Sequence, residues 1–204
     1  MTLSEFDNEI RKDYNVVCGC DEAGRGPLAG DVFAAAVIFD KDTVIEGIND
    51  SKKLTAKKRE ELFDEIMEKA VDFSIQTATV EEIEDINILN AAMLAMKRAV
   101  EDMDTKPDVC LIDGNKTPEG LECPAIAVVK GDAKSQAVAA ASILAKVARD
   151  RYMEQMAEQY PEYQFEKHKG YGTKLHYQMI DQYGPCGIHR MSFLKKYYAK
   201  KNGH

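Results

Sequence analysis

No apolar run in this chain of 204 residues is long. The longest, such as Val32 to Phe39, falls far short of the ~20 residues that a spanning helix needs, so no membrane span is expected. The opening residues, Met1-Thr-Leu-Ser-Glu-Phe-Asp, lack the basic and apolar regions of a secretory signal. Cysteine is scarce and odd in number: Cys18, Cys20, Cys110, Cys123 and Cys186, with no C-x-x-C pair and no Cys/His zinc spacing. Reduced, buried thiols in a cytoplasmic protein are the expectation. Two nucleotide motifs are also missing. There is no G-x-x-x-x-G-K-[ST], which disfavours a P-loop NTPase, and no G-x-G-x-x-G after a strand, which disfavours a dinucleotide site. No repeat, low-complexity tract or linker divides the chain.

What is present suits one globular domain. Hydrophobic residues make up 45% and charged residues 30%, enough to build a core. The net charge of −8 argues against a simple nucleic-acid coat, but the charge is unevenly spread. Residues 167–204 carry eight Lys or Arg and one acid, Asp181, which leaves 19 basic and 34 acidic side chains on residues 1–166. The division expected is therefore an acidic body, 1–166, and a basic loop and helical segment, 167–204, packed on the same domain. A basic segment on an acidic body fits a protein that holds a polyanion while coordinating cations.

Hydrophobic patterning predicts five strands: Val16 to Cys20, Asp31 to Asp40, Val71 to Val80, Asp108 to Ile112 and Ala125 to Val129. Helical spacing is read over 55–70, over 81–103 with a break near Asn87, over an Ala-rich stretch from Ala133 to about Met156, and around 174–183 and 193–201. Early strands in sequence and later ones separated by helices indicate an α/β or α+β sheet of mixed direction.

Three acidic sites follow apolar runs: Asp21-Glu22, Asp113 and Asp132. Strand-end carboxylates lie at the sheet edge, where ligands of α/β sheets commonly bind. If those strands are neighbours, four carboxylates converge, and such a cluster either raises its pKa values or binds divalent cations. An all-oxygen set suits Mg²⁺ or Mn²⁺, and two such ions ~4 Å apart can activate a water and stabilise the leaving oxygen of a phosphodiester. A lone strand-end Asp is more often a turn residue; an adjacent Asp-Glu before Gly24-Arg25-Gly26 is harder to dismiss. Glycines there let backbone N–H groups approach a sugar or phosphate. In His168-Lys169-Gly170-Tyr171-Gly172-Thr173, an aromatic amid bases can stack on a sugar or base, or be a buried turn Tyr. Asp50, Asp108 and Asp150 read as loop or helix-surface acids, Asp150 paired with a neighbouring base. On residues alone, a non-catalytic nucleic-acid module and a Mg²⁺-dependent phosphatase for small esters stay open.

The ordered blocks Asp21-Glu-Ala-Gly-Arg-Gly-Pro-Leu-Ala-Gly30, Asp50-Ser-Lys-Lys-Leu54, Ile112-Asp-Gly114, Lys130-Gly-Asp132, Ala140 to Asp150, His168-Lys-Gly-Tyr-Gly172 and His189-Arg-x-Ser-Phe193 resemble those of the type 2 ribonucleases H, the bacterial ribonuclease HII family. The resemblance spans roughly residues 14–194. It implies an α/β, ribonuclease H-like fold: a five-stranded mixed sheet flanked by helices, with a helical C-terminal extension. It implies that Asp21, Glu22, Asp113 and Asp132 are catalytic metal ligands for Mg²⁺ or Mn²⁺. It further implies that Gly24, Arg25 and Gly26 recognise a ribonucleotide 2′-hydroxyl with help from Tyr171, and that Ser51, Lys52 and Asn115 contact the nucleic-acid backbone. The implied partners are RNA–DNA hybrids and duplex DNA containing ribonucleotides, cut by a monomer. Met191-Ser-Phe-Leu-Lys-Lys-Tyr-Tyr198 also looks like a sliding-clamp peptide lacking its leading Gln, the alternative being an amphipathic terminal helix.

Overall fold

The computed structural model describes residues 1–48 and 54–202. Asp50, Ser51 and Lys52, read above as loop acid and nucleic-acid contacts, lie outside the described residues. The sheet has five strands: β1 (Val17–Ala23), β2 (Val32–Ile38), β3 (Asp72–Ala78), β4 (Val109–Asp113) and β5 (Ala125–Val128), in the order β3-β2-β1-β4-β5. β1 runs antiparallel to β2 and parallel to β4; β2–β3 is antiparallel and β4–β5 parallel. This is the mixed sheet expected. The connections match it: a loop over residues 24–31 joins antiparallel β1 and β2, a helix carries the chain from β3 to β4, and residues 114–124 carry it without a helix from β4 to parallel β5.

The helices are α1 (Leu3–Ile10), α2 (Ala56–Lys69), α3 (Val80–Glu101), α4 (Gln136–Gln159), α5 (Phe165–His168), α6 (Lys174–Tyr183) and α7 (Met191–Asn202). They bury both faces of the sheet, so β2 is apolar throughout rather than alternating. Ala34, Ala36 and Ile38 pack with Ala92, Met96 and Val100 of α3, while Ala35 and Val37 pack with Leu62 and Ile66 of α2 and Ala140 and Leu144 of α4. Small side chains bring α4 close to the central strand. A Cβ at Gly19 would stand 2.2 Å from the Ala137 carbonyl carbon, so only glycine fits there.

α3 breaks at Asn87, as expected: its φ of 68° is left-handed, and its side chain accepts from Leu89 N at 3.0 Å and Asn90 N at 3.2 Å, capping the second half. α4 begins later than the Ala-rich pattern suggests, because Ser135 caps it and a 3-10 turn, Gly131–Ala133, intervenes. Buried Asp7 of α1 secures that end, accepting from Ala137 N at 2.9 Å.

The C-terminal segment is stitched to the Gly24–Gly30 loop. Leu28 N donates to Gly170 O, Gly30 N to Ile188 O, and Arg190 N to Leu28 O, each at 2.8 Å. In α7, Leu194 is fully buried and packs with Leu28 and Ile180, joined by Phe193 and Tyr197. This is the packing of an amphipathic terminal helix. One expectation is corrected. Only Cys18, Cys20 and Cys110 are buried, whereas Cys123 and Cys186 are half-buried. Asp150 pairs with a base, as expected: it is Lys146, one helical turn back, at 2.6 Å, while Arg149 and Arg151 turn to the core and to Glu60.

Candidate active site

Sheet register brings the acids together. Cys20 lies beside Ile112 across the parallel β1–β4 pair, so Asp21 and Asp113 follow side by side at the C-terminal ends of those strands. Glu22 is next on β1. β5 leads into the 3-10 turn that carries Asp132. On that turn Gly131 N donates to Asp113 Oδ1 at 2.6 Å, so Asp132 stands one residue beyond the peptide that grips Asp113.

Asp21 is buried; Glu22, Asp113 and Asp132 are half-buried. Burial pushes the Asp21 carboxyl well above the ordinary carboxylate range, and the charges of Glu22 and Asp113 push it further. A Ser142 hydrogen bond from α4 and the Glu22 N–H, at 2.7 Å, act the other way. Glu22 is also held by Arg25, whose Nη1 lies 3.0 Å from Oε1. Among the described residues, no three His, Cys, Asp or Glu side chains are set as a finished metal cage. Asp21, Glu22 and Asp113 are neighbours, each engaged by a protein partner, and Asp132 follows on the adjoining turn. Their chemistry nevertheless fits a hard divalent ion: the donors are all oxygen, and a buried carboxylate opposed by two nearby acids is relieved by a cation. The neighbouring Cys20 thiol faces the opposite core, under α3.

A cleft of about 470 Å³ opens beside these acids, lined by Glu22, Gly24, Arg25, Gly26, Ser142 and Tyr171 among others. A larger groove, about 930 Å³, lies at the far end of the sheet around Arg11, Phe39 and Thr105 and holds none of the strand-end acids. The smaller cleft is the better site because it is where charge and strand ends coincide. Gly24 has φ 101°, a conformation that other residues rarely adopt, and a Cβ there would lie 2.2 Å from Arg149 Nε. Tyr171 is 44% exposed on the cleft wall, its ring centroid 6.0 Å from Lys146 Nζ and 5.9 Å from Arg149 Cζ. The turn-Tyr alternative therefore fails for burial. Asn115 is exposed, two residues past Asp113.

Four residues near this site were given no role by the sequence reading. Ser142, Lys146 and Arg149 recur at helical spacing on one face of α4, a signal visible in the sequence. Arg190 offers no such signal, since its surroundings are distant in sequence. Arg149 is fully buried and donates to the carbonyls of Asp31, Ala29 and Lys169. Behind Tyr171, three histidines form a buried group. His176 Nδ1 bonds Tyr171 O at 3.0 Å, its Nε2 meets His189 Nε2 at 3.0 Å, and His189 Nδ1 accepts from Cys186 N at 2.9 Å. The carbonyl needs a donor, so His176 carries its proton on Nδ1 and His189 on Nε2.

Comparison with known proteins bears on the family and the fold. The family model described as Ribonuclease HII matches residues 18–196. A Ribonuclease HII of Caldicellulosiruptor saccharolyticus is 55% identical over 189 residues, covering 93% of this chain and 92% of its own. Among solved structures, the ribonuclease H2 of Pyrococcus horikoshii matches with a TM-score of 0.72 at 30% identity, over 87% of this chain and 93% of that one. The ribonuclease HII of Archaeoglobus fulgidus, solved in complex with PCNA, matches with a TM-score of 0.67 at 25% identity, over 86% and 94%.

Proposed function

Because the chain belongs to the ribonuclease HII family, we propose that it is an endoribonuclease that hydrolyses RNA in RNA–DNA hybrids and single ribonucleotides embedded in duplex DNA. The products are 5′-phosphate and 3′-hydroxyl ends. The observation that carries the reading is the meeting of Asp21, Glu22 and Asp113 at one sheet end, beside a cleft walled by the Gly24-Arg25-Gly26 turn and Tyr171.

Asp21, Glu22, Asp113 and Asp132 would hold Mg²⁺ or Mn²⁺. When bound, such ions supply activation of water and neutralisation of charge at the phosphate. The protein does the rest. The backbone of Gly24, Arg25 and Gly26 reads the 2′-hydroxyl, the one group that separates RNA from DNA at a site. Tyr171 stacks on the sugar at the ribo–deoxyribo junction. Asn115 and the lysines of the C-terminal segment grip phosphates and fix the register. Arg25 must exchange its bond to Glu22 for substrate or solvent when Glu22 turns to a cation. A monomer suffices for this, and the reading fits a role in removing ribonucleotides from DNA in the cytoplasm.

The test is a duplex with one ribonucleotide, incubated with and without Mg²⁺ or Mn²⁺. Cleavage on the 5′ side of that ribonucleotide, dependent on metal and abolished in Asp21→Asn and Asp113→Asn with binding largely spared, is the expected result. Turnover near the parent rate in either variant would remove that carboxylate from the chemistry.

A further inference from the structure

Arg190 is fully buried, and its guanidinium is spent on the main chain. Nη2 donates to Gly24 O at 2.7 Å and Gly30 O at 2.6 Å, Nη1 to Pro27 O at 2.9 Å and Arg25 O at 3.2 Å, and Nε to Gly30 O at 2.9 Å. Its outer face covers the Phe193 ring, 5.3 Å from the centroid. A guanidinium has five N–H donors in a rigid fork, and this one serves four carbonyls of a single loop.

That has a consequence for the other side of the loop. In a trans peptide the C=O and the following N–H point in opposite directions, and no cis bond is present. With the carbonyls of Gly24 and Arg25 turned inward onto Arg190, the N–H groups of Arg25 and Gly26 turn outward, on the stretch that lines the cleft with Tyr171. Backbone N–H groups aimed this way form a fixed donor pair that costs no reorganisation when a ligand oxygen arrives.

We propose that Arg190 is the positioning residue for ribonucleotide selectivity: by holding those two carbonyls inward, it aims the Arg25 and Gly26 N–H groups at the 2′-hydroxyl. The inference rests on the function proposed above. Lysine preserves the charge but cannot do this, because its three donors radiate from one atom and do not span four carbonyls. The freed peptides then rotate, and the donor pair is lost.

The experiment compares the parent with Arg190→Lys on two duplexes of one sequence, with and without a single ribonucleotide. Both proteins are checked for folding by far-UV circular dichroism. The parent cleaves the first duplex and, with Ca²⁺ in place of Mg²⁺, binds it more tightly than the second. In Arg190→Lys, kcat on the ribonucleotide duplex should fall by ~100-fold or more, as when a site built to bond a hydroxyl is disordered, and the binding preference should vanish. Affinity for the all-deoxy duplex should hold within about twofold, because phosphate contacts carry it. A variant with kcat and preference within about threefold of the parent, a span too small for a lost hydroxyl contact, overturns the proposal. A parent that fails to cleave overturns instead the function on which it rests. Should the variant not fold, the parent decides through its amide resonances. Those of Arg25 and Gly26 should differ between the two duplex complexes, and identical resonances overturn the proposal.

Discussion

Acidification should unfasten the loop that carries Tyr171, and the cost can be worked from the buried histidines. His176 and His189 are 0% and 3% exposed, and their pKa values are pushed down from 6.5 to about 4. For His176 burial is the main cause, followed by the charge of His168; for His189 it is again burial, offset in part by a backbone hydrogen bond with Cys186. The sign follows from linkage. A histidine with a lowered folded-state pKa binds its proton better when unfolded, so stability falls as pH drops through the window from 6.5 towards about 4. At pH 5, each imidazole then costs about 2 kcal/mol and the pair about 4 kcal/mol at most, since the two repel one another and are not independent. Geometry gives the same answer. Protonating His176 Nε2 sets an N–H against the N–H of His189 at 3.0 Å, and the chain that ends on Tyr171 O breaks. Asp7 and Asp21 have raised pKa values and act in the opposite sense, gaining stability as pH falls. The assay therefore needs a site-specific readout beside urea melts from pH 7.5 to 5.0: titration of the histidine ring protons. A drop in stability under about 1 kcal/mol, with ring protons titrating near 6.5, would refute the reasoning.

Further expectations concern the cleft. Gly24→Ala should destabilise the protein by about 1–3 kcal/mol, read as a lower melting midpoint, because its φ of 101° and the Arg149 side chain both oppose a Cβ. Gly26→Ala should leave that midpoint nearly unchanged, since its Cβ would meet only Tyr171 at 3.7 Å, yet cleavage should drop steeply; unchanged turnover would show that substrate does not approach there. Tyr171→Ala should impair cleavage at single embedded ribonucleotides, and equal rates for variant and parent would make the ring a bystander. Affinity for duplex should decline steeply with added salt through counterion release from the basic segment; a flat salt dependence in a filter-binding titration counts against phosphate contacts.

The sequence alone determined most of the elements, because periodicity and capping act over a few residues, though the short α1 and α5 escaped it. It predicted all five strands, the break at Asn87 and the long helix. It also singled out Asp21, Glu22, Asp113 and Asp132, because acids after apolar runs are conspicuous wherever the strands lie. What it could not determine was adjacency. That Asp21 sits beside Asp113 depends on the parallel pairing of β1 with β4, made across about ninety residues. The same limit hid the partner of Asp150, the burial of α7 and the start of α4, which is set by Ser135 and by Asp7 from the other end of the chain. Arg149 and Arg190 show it most plainly. In sequence they are two bases among 27. Only the folded chain surrounds each with carbonyls from distant loops, because a buried guanidinium is tolerated only where its donors are met.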